Sequence, residues 1–316
     1  MAHAPTEAEP LTAQQAESVL DRLSHAFVSP PRSPILHTPE EENLEYEAVT
    51  FPSSDGVPLE GWLIPADSRR LVIANHPMGF NRSGLPSHLE PWASIWRPTG
   101  NDFEVNFVPD YRILHEAGYN VLAYDLRNMG LSGAANGGAV TSGLYEARDV
   151  LGSIRYAANR GETKDMTVAL FSRCLGANST FAAMRQDEKA FQGIKCLVAC
   201  QPVSDDVIMR RMLDILGVGG DRIDELDRRV KLSTSIGFQE RPDAAWAKYV
   251  RIPTYLYGVY EDSLTVPSDL EEMFKALDVE DKRLEWVRDT TARWDGYLEF
   301  QRRPEPILDW LSHRLA

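Results

Sequence analysis

The sequence predicts an α/β chain built on a mostly parallel, twisted sheet flanked by helices, with a helical lid inserted late in the chain. Three observations carry this. Short apolar runs alternate with helix-type stretches from residue 71 to the C-terminus, the rhythm of parallel strands joined by crossover helices. A hairpin precedes them, YEAVTF and LEGWLIP joined through SSDG, whose Asp-Gly pair is a turn signal. In VALFSRCLGANS a β-type run passes directly into a helix-type run through small residues.

Taken in order, residues 1–42 form a Pro- and Glu-rich arm around one amphipathic helix, roughly residues 12–28, closed by the turn-rich SPPRSP. The arm reads as a packing or homodimer element. Residues 43–316 read as one domain. After the hairpin, strands are expected at 71–76, 120–125, 166–172, 194–200, 253–259 and 283–288, each a short apolar run. The helices between and after them are YRILHEAG, TSGLYEARDVLGSIRYAANRG, LGANSTFAAMRQ, SDLEEMFKAL and PEPILDWLSHRLA. Two insertions break the rhythm: residues 83–106, polar and Trp-containing, and residues 206–250, charged and helical, the expected lid. The charge run DRIDELDRR reads as the solvated face of a lid helix.

Composition narrows the function. A chain of 316 residues, 43% hydrophobic, can bury one sizeable core. With 33 basic against 47 acidic residues the formal charge is -14, which repels nucleic acid and anionic lipid. The expected partner is a small-molecule or carrier-bound acyl substrate, with no nucleic acid and no membrane. The opening MAHAPTEAEPLTAQQAE has no basic region followed by an apolar run, so a cytoplasmic location is expected. Cys174, Cys196 and Cys200 lack metal-ligand spacing, and the latter two sit in the apolar run KCLVAC, so neither a disulfide framework nor a metal is expected, and no cofactor.

Four stretches, in order, resemble the α/β-hydrolase superfamily from about residue 47 onward. Asn75-His76-Pro77-Met78-Gly79 is similar to the loop that supplies one oxyanion-hole donor; Pro77 has no N–H, which leaves Met78. AYDLRNMGLSG is similar to a structural strand-end pattern. The third is the nucleophile elbow, where Ser172, Arg173, Cys174, Leu175 and Gly176 fill the small-x-nucleophile-x-small pattern. The resemblance makes Cys174 the nucleophile in place of the usual serine and the Leu175 N–H the second oxyanion donor. In the fourth, Gly258 to Asp262 after a strand puts Asp262 at the acid position; Asp205, after the preceding strand, is the alternative. Dienelactone hydrolases also use a cysteine, and the match to them is confined to the elbow.

The sequence departs from the family at the base. Aligning Asp295 and Tyr297 in RDTTARWDGYLEF puts Arg293 where the family has its histidine, and no histidine falls between residues 116 and 312. An arginine stays protonated and cannot be a general base, but a guanidinium beside a cysteine at a helix N-terminus can hold a thiolate. The expectation is a constellation of Cys174, Arg293 and Asp262, with Asp262 orienting Arg293 through a bidentate ion pair. His76, His88 and Arg173 are candidate pocket residues, as are Trp92 and Trp96. The leading function is acyl chemistry on an ester, thioester, lactone or amide through a Cys174 acyl-enzyme. With no base visible to activate water, acyl transfer or cyclisation gains over hydrolysis. The alternatives are a lyase or cyclase working without an acyl-enzyme, and a pseudo-hydrolase that binds a ligand.

Overall fold

The computed structural model describes residues 11–315; the first ten residues of the predicted arm and Ala316 lie outside the described residues. The arm carries α1 (Ala13–His25), capped by the Thr12 side chain, which accepts from the Gln15 N–H. Then come β1 (Glu47–Pro52), β2 (Pro58–Ile64) and β3 (Arg70–Asn75). The first insertion holds β4 (Gly84–Leu85), α2 (Trp92–Trp96) and β5 (Val105–Asn106), and leads into α3 (Val108–Glu116). The α/β alternation continues through β6 (Asn120–Tyr124), α4 (Ala147–Asn159), β7 (Thr167–Arg173), α5 (Leu175–Gln186) and β8 (Ile194–Cys200). The second insertion, the expected lid, contributes α6 (Asp205–Ile215) and α7 (Ile223–Thr234). The chain ends with β9 (Thr254–Val259), α8 (Pro267–Ala276), β10 (Lys282–Val287), α9 (Arg293–Arg302) and α10 (Glu305–Ser312).

Eight strands make one sheet in the order β1-β2-β6-β3-β7-β8-β9-β10. β1 and β2 pair antiparallel, β2 meets β6 antiparallel, and the remaining six strands are parallel. Side chains alternate across a strand, and both faces are covered. Leu71, Ile73, Leu170 and Leu197 face one core with α4, α5 and α8; Val72, Ala74, Phe171 and Val198 face the other with α3, α9 and α10. That double coverage is why these strands read as continuous apolar runs.

The predicted strands stand within one residue at each end. Two helices differ from expectation. α4 begins at Ala147, not residue 141, because the buried Glu146 carboxylate accepts from the N–H groups of Thr141 and Gly143 and holds that segment as a turn. α9 stands in a stretch where no helix is expected; Trp294, Tyr297 and Phe300 give it a buried face against the sheet.

The arm and lid share a third small core: Leu20 and Phe27 pack with Leu213, Ile223, Leu226, Val230 and Phe238. The charge run on α7 is not merely solvated, since Arg222 and Arg229 both pair with Glu17 of α1. Among the described residues no helix is long and apolar enough to cross a membrane.

Candidate active site

The site is built at the end of β7, a central strand, where the chain turns abruptly into α5. Cys174 takes φ 47° and ψ -110°, a conformation non-glycine residues rarely adopt and one that must be held by its surroundings. Its N–H donates to Cys200 O at 2.8 Å, tying the tip to β8. The flanking small residues are required by contact: a Cβ on Gly176 would stand 2.6 Å from Asn75 Cβ and 2.7 Å from Asn75 O. Ser172 is fully buried and its hydroxyl accepts from Asn75 Nδ2 at 2.8 Å. Strand β7, helix α5 and the loop after β3 are therefore locked together around the sulfur.

That loop is braced by His76. Its Nε2 accepts from the Leu126 N–H at 2.9 Å and its Nδ1 donates to Pro77 O at 2.7 Å, which fixes the tautomer. Burial pulls the imidazole down to about 4, so the ring stays neutral. Among the described residues neither the Met78 nor the Leu175 N–H donates to a protein acceptor, and both residues line the cavity beside Cys174. Two unspent backbone donors beside a sulfur that borders the cavity are what a carbonyl oxygen gaining charge requires.

The structure brings Arg293, Asp262 and Cys174 together. Arg293, the first residue of α9, spends each of its nitrogens separately: Nη1 on Asp262 Oδ2 at 2.6 Å, Nη2 on Gln201 O at 2.5 Å, and Nε on the Tyr297 hydroxyl at 3.0 Å. The pair with Asp262 is therefore single and not bidentate, because Gln201 occupies the other arm of the fork. Asp262 is held by the Leu264 N–H at 2.9 Å and the Thr265 hydroxyl at 3.1 Å, and stands behind Arg293, away from the cavity. Burial opposes the charge on Arg293, but Tyr297, Asp262 and Cys174 around it outweigh burial and keep it protonated. Burial also holds the Tyr297 phenol well above its ordinary range against the pull of Arg293, so it remains a proton donor against the Cys174 thiol.

Tyr297 and Gln201 are site residues that sequence reasoning missed. Had α9 been recognised as a helix, Arg293 and Tyr297 would have stood one turn apart on one face. Gln201 follows β8 with φ 50°, its amide Nε2 donating to Arg293 O at 2.8 Å and its Oε1 accepting from the Val259 N–H at 3.1 Å.

Three candidate pocket residues lie elsewhere. Arg173 is buried behind the elbow in an ion pair with Asp110, its guanidinium over the Phe171 ring, because successive side chains leave a strand on opposite faces. His76 is sealed under its own loop, and His88 is exposed in the first insertion. His115 bonds to Pro65 O, and His313 is exposed at the end of α10. Among the described residues no histidine lines the cavity. The alternative acid, Asp205, pairs with Arg241 and not with Arg293. Cys196 and Cys200 are buried strand thiols, each pushed up to about 12 by burial.

The cavity over Cys174 has a volume of about 170 Å³. Its walls are apolar: Leu23 and Phe27 from the arm, Trp92 and Trp96 from α2, Ile208, Met209 and Met212 from α6, and Trp294 from α9. The two tryptophans of the first insertion thus line the pocket, and arm and lid together roof it.

No protein-family model matches the sequence, and no curated protein matches it. Solved structures do match. An esterase of Pyrococcus furiosus, Pf2001, is 21% identical and superposes with a TM-score of 0.67 over 92% of this chain and 100% of its own. The α/β hydrolase GrgF from a Penicillium species is 17% identical, with a TM-score of 0.56 over 86% of this chain and 99% of its own. A dienelactone hydrolase from Anabaena variabilis is 14% identical, with a TM-score of 0.53 over 86% and 99%. With the sheet order above, these likenesses establish the fold.

Proposed function

From an α/β-hydrolase fold with a cysteine at its elbow, we propose an enzyme of acyl chemistry in which Cys174 takes an acyl group from an ester, thioester, lactone or amide as a thioester. The observation that carries this reading is the strained Cys174 backbone at the floor of an apolar cavity, beside the protonated Arg293 and Tyr297. A purely structural cysteine has no need of that conformation. Neighbours named as esterases and as a dienelactone hydrolase support ester and lactone bonds as the substrates.

In this mechanism the Cys174 sulfur, reacting as the thiolate beside the Arg293 cation and the Tyr297 O–H, attacks the acyl carbon. The carbonyl oxygen takes the Met78 and Leu175 N–H groups as charge develops on it. The bond to the leaving group breaks and the acyl group stays on sulfur. Asp262 and Gln201 act through Arg293 as positioning residues. The second step needs an acceptor. With no histidine among the described residues lining the cavity to activate water, an amine or thiol, each a better nucleophile than water near neutral pH, or a carbanion that the substrate itself stabilises, is favoured over water, and the balance tilts towards transfer or cyclisation.

A lyase or cyclase working without an acyl-enzyme is the second reading, favoured by the same want of a histidine and by the Tyr297 O–H available for proton transfer. Intact-protein and peptide mass spectrometry after incubation with activated medium-chain thioesters and aryl esters separates the two. The acyl-enzyme reading expects one adduct, on Cys174 alone, absent from Cys174→Ala along with turnover. Turnover retained in Cys174→Ala without an adduct overturns it in favour of the lyase; saturable binding without conversion would leave a ligand-binding protein.

A further inference from the structure

The cavity wall carries one carboxylate that the chemistry above does not use. Asp205, the first residue of α6, is 7% exposed and lines the same cavity as Cys174. Its two oxygens are not equivalent. Oδ2 accepts from the Ser142 hydroxyl at 2.5 Å and from Arg241 Nη1 at 3.2 Å. Oδ1 accepts no hydrogen bond among the described residues and keeps its access to the cavity.

The surroundings hold this carboxylate rigidly. Ser142 takes a left-handed conformation, φ 53°, in the turn that Glu146 fixes. Arg241 is fully buried, bonded also to Val140 O at 3.0 Å and Ile236 O at 3.2 Å, with its guanidinium over the Phe27 ring. Asn178 beside it is spent: it donates to Val203 O at 2.8 Å and accepts from the Val203 N–H at 3.3 Å. In a largely apolar wall, a carboxylate oxygen without a protein donor takes its hydrogen bond from water or from a ligand. Because Arg241 already neutralises Asp205, a cationic donor gains little. A neutral hydroxyl fits.

We propose that Asp205 recognises a hydroxyl group carried on the apolar acyl chain, so that the substrates are hydroxyacyl esters or thioesters; this rests on the acyl chemistry proposed for Cys174. The test is made on Cys174→Ala protein, so that binding is read without reaction. Eight-carbon N-methyl amides, whose carbonyl stands in for the scissile group, carry either a hydroxyl or a ketone at successive chain positions. Their dissociation constants are measured by titration calorimetry. At one position the hydroxyl compound should bind at least about tenfold tighter than the ketone.

Adding Asp205→Asn sharpens the test. The Ser142 and Arg241 donors hold the amide oxygen at the Oδ2 position, which turns the NH₂ group to the cavity and converts an acceptor into a donor. The hydroxyl-over-ketone ratio should fall to about one while the plain amide binds as before. A lost fold would weaken every ligand alike and leave the ratio undefined, so the near-isosteric Asn is used and its plain-amide affinity is the control. Hydroxyl compounds that bind no tighter than ketones at any position, or not at all, overturn the proposal, as does a ratio that survives Asp205→Asn. Failure of the Cys174 reading shows separately, as a missing adduct in the wild-type protein.

Discussion

Two buried arginines flank the elbow, one behind it and one in front, and each meets a buried aspartate. Behind, Arg173 lies between the Phe171 and Phe107 rings, 3.8 and 4.5 Å from their centres, and pairs with Asp110 of α3. The pairing is incomplete, since among the described residues Arg173 Nε and Asp110 Oδ1 find no partner, and burial pushes Asp110 up to about 6 despite the arginine beside it. In front, each Arg293 nitrogen has a fixed partner and the guanidinium borders the cavity. Arg173 is next to Cys174 in the chain, yet the distant Arg293 is the one that reaches the sulfur's surroundings. The alternation of a strand decides which arginine serves stability and which can serve chemistry.

The largest effect that would break this contrast comes from removing one member of the rear pair. Asp110→Ala leaves Arg173 as an uncompensated buried charge, and urea unfolding should show a loss of roughly 3–5 kcal/mol. Alkylation of Cys174 in the folded fraction should keep its wild-type rate. A slowed Cys174 with unchanged stability would reverse the roles assigned to the two pairs.

The rear region also has a pH signature. His76 has its folded value depressed from 6.5 to about 4. Its contribution to stability is therefore complete above about pH 6.5 and is lost as pH falls through about 4. The shift corresponds to roughly 3 kcal/mol. His76→Gln, which cannot titrate, should flatten this part of the stability profile between pH 6.5 and 4 in urea melts.

In front, the smaller effect falls on reactivity. Arg293→Lys keeps the charge but cannot serve Asp262, Gln201 and Tyr297 at once. Iodoacetamide labelling of Cys174 at pH 6 should slow by about 10- to 100-fold, or roughly 1.4–2.7 kcal/mol of barrier. Cys196 and Cys200 serve as buried controls in the same digest. An unchanged rate would remove Arg293 from the chemistry.

Much of this was legible in the sequence. The strands announced themselves because both faces of a parallel sheet are buried, and the elbow because Gly176 and Ser172 must be small where strand and helix backbones meet. The order of motifs pointed to Cys174, Arg293 and Asp262, which the fold brings near one another. What stayed hidden depends on geometry between elements. α9 was missed because its stretch, RWDGYLEFQR, contains Gly296, a poor helix former, and is held by packing of Trp294 and Phe300. With it went Tyr297. Gln201 acts through a left-handed backbone that a β-run followed by proline does not disclose. The pocket roles of Asp205 and Ser142 arise from segments far apart in sequence that meet only once arm and lid close over the sheet.

The roof supplies the smallest and last contrast, with both buried pairs. Glu17 of α1 bonds to Arg229 of α7 and to Arg222, which precedes that helix, at the protein surface, where water screens each contact. The arm is held mainly by Leu20 and Phe27 in the small core it shares with the lid. Glu17→Ala should therefore leave the unfolding temperature close to that of the wild type. Its effect should appear in access, because the same arm contributes Leu23 and Phe27 to the cavity wall and a looser arm opens that wall more often. Labelling of Cys174 by a bulky aryl maleimide should rise by no more than about twofold, with the rate for small iodoacetamide unchanged. Phe27→Ala, which removes part of the shared core and uncovers Arg241, should raise the maleimide rate further. Equal rates in all three proteins would mean that the arm does not gate the cavity and that reagents enter between α2 and α6 instead.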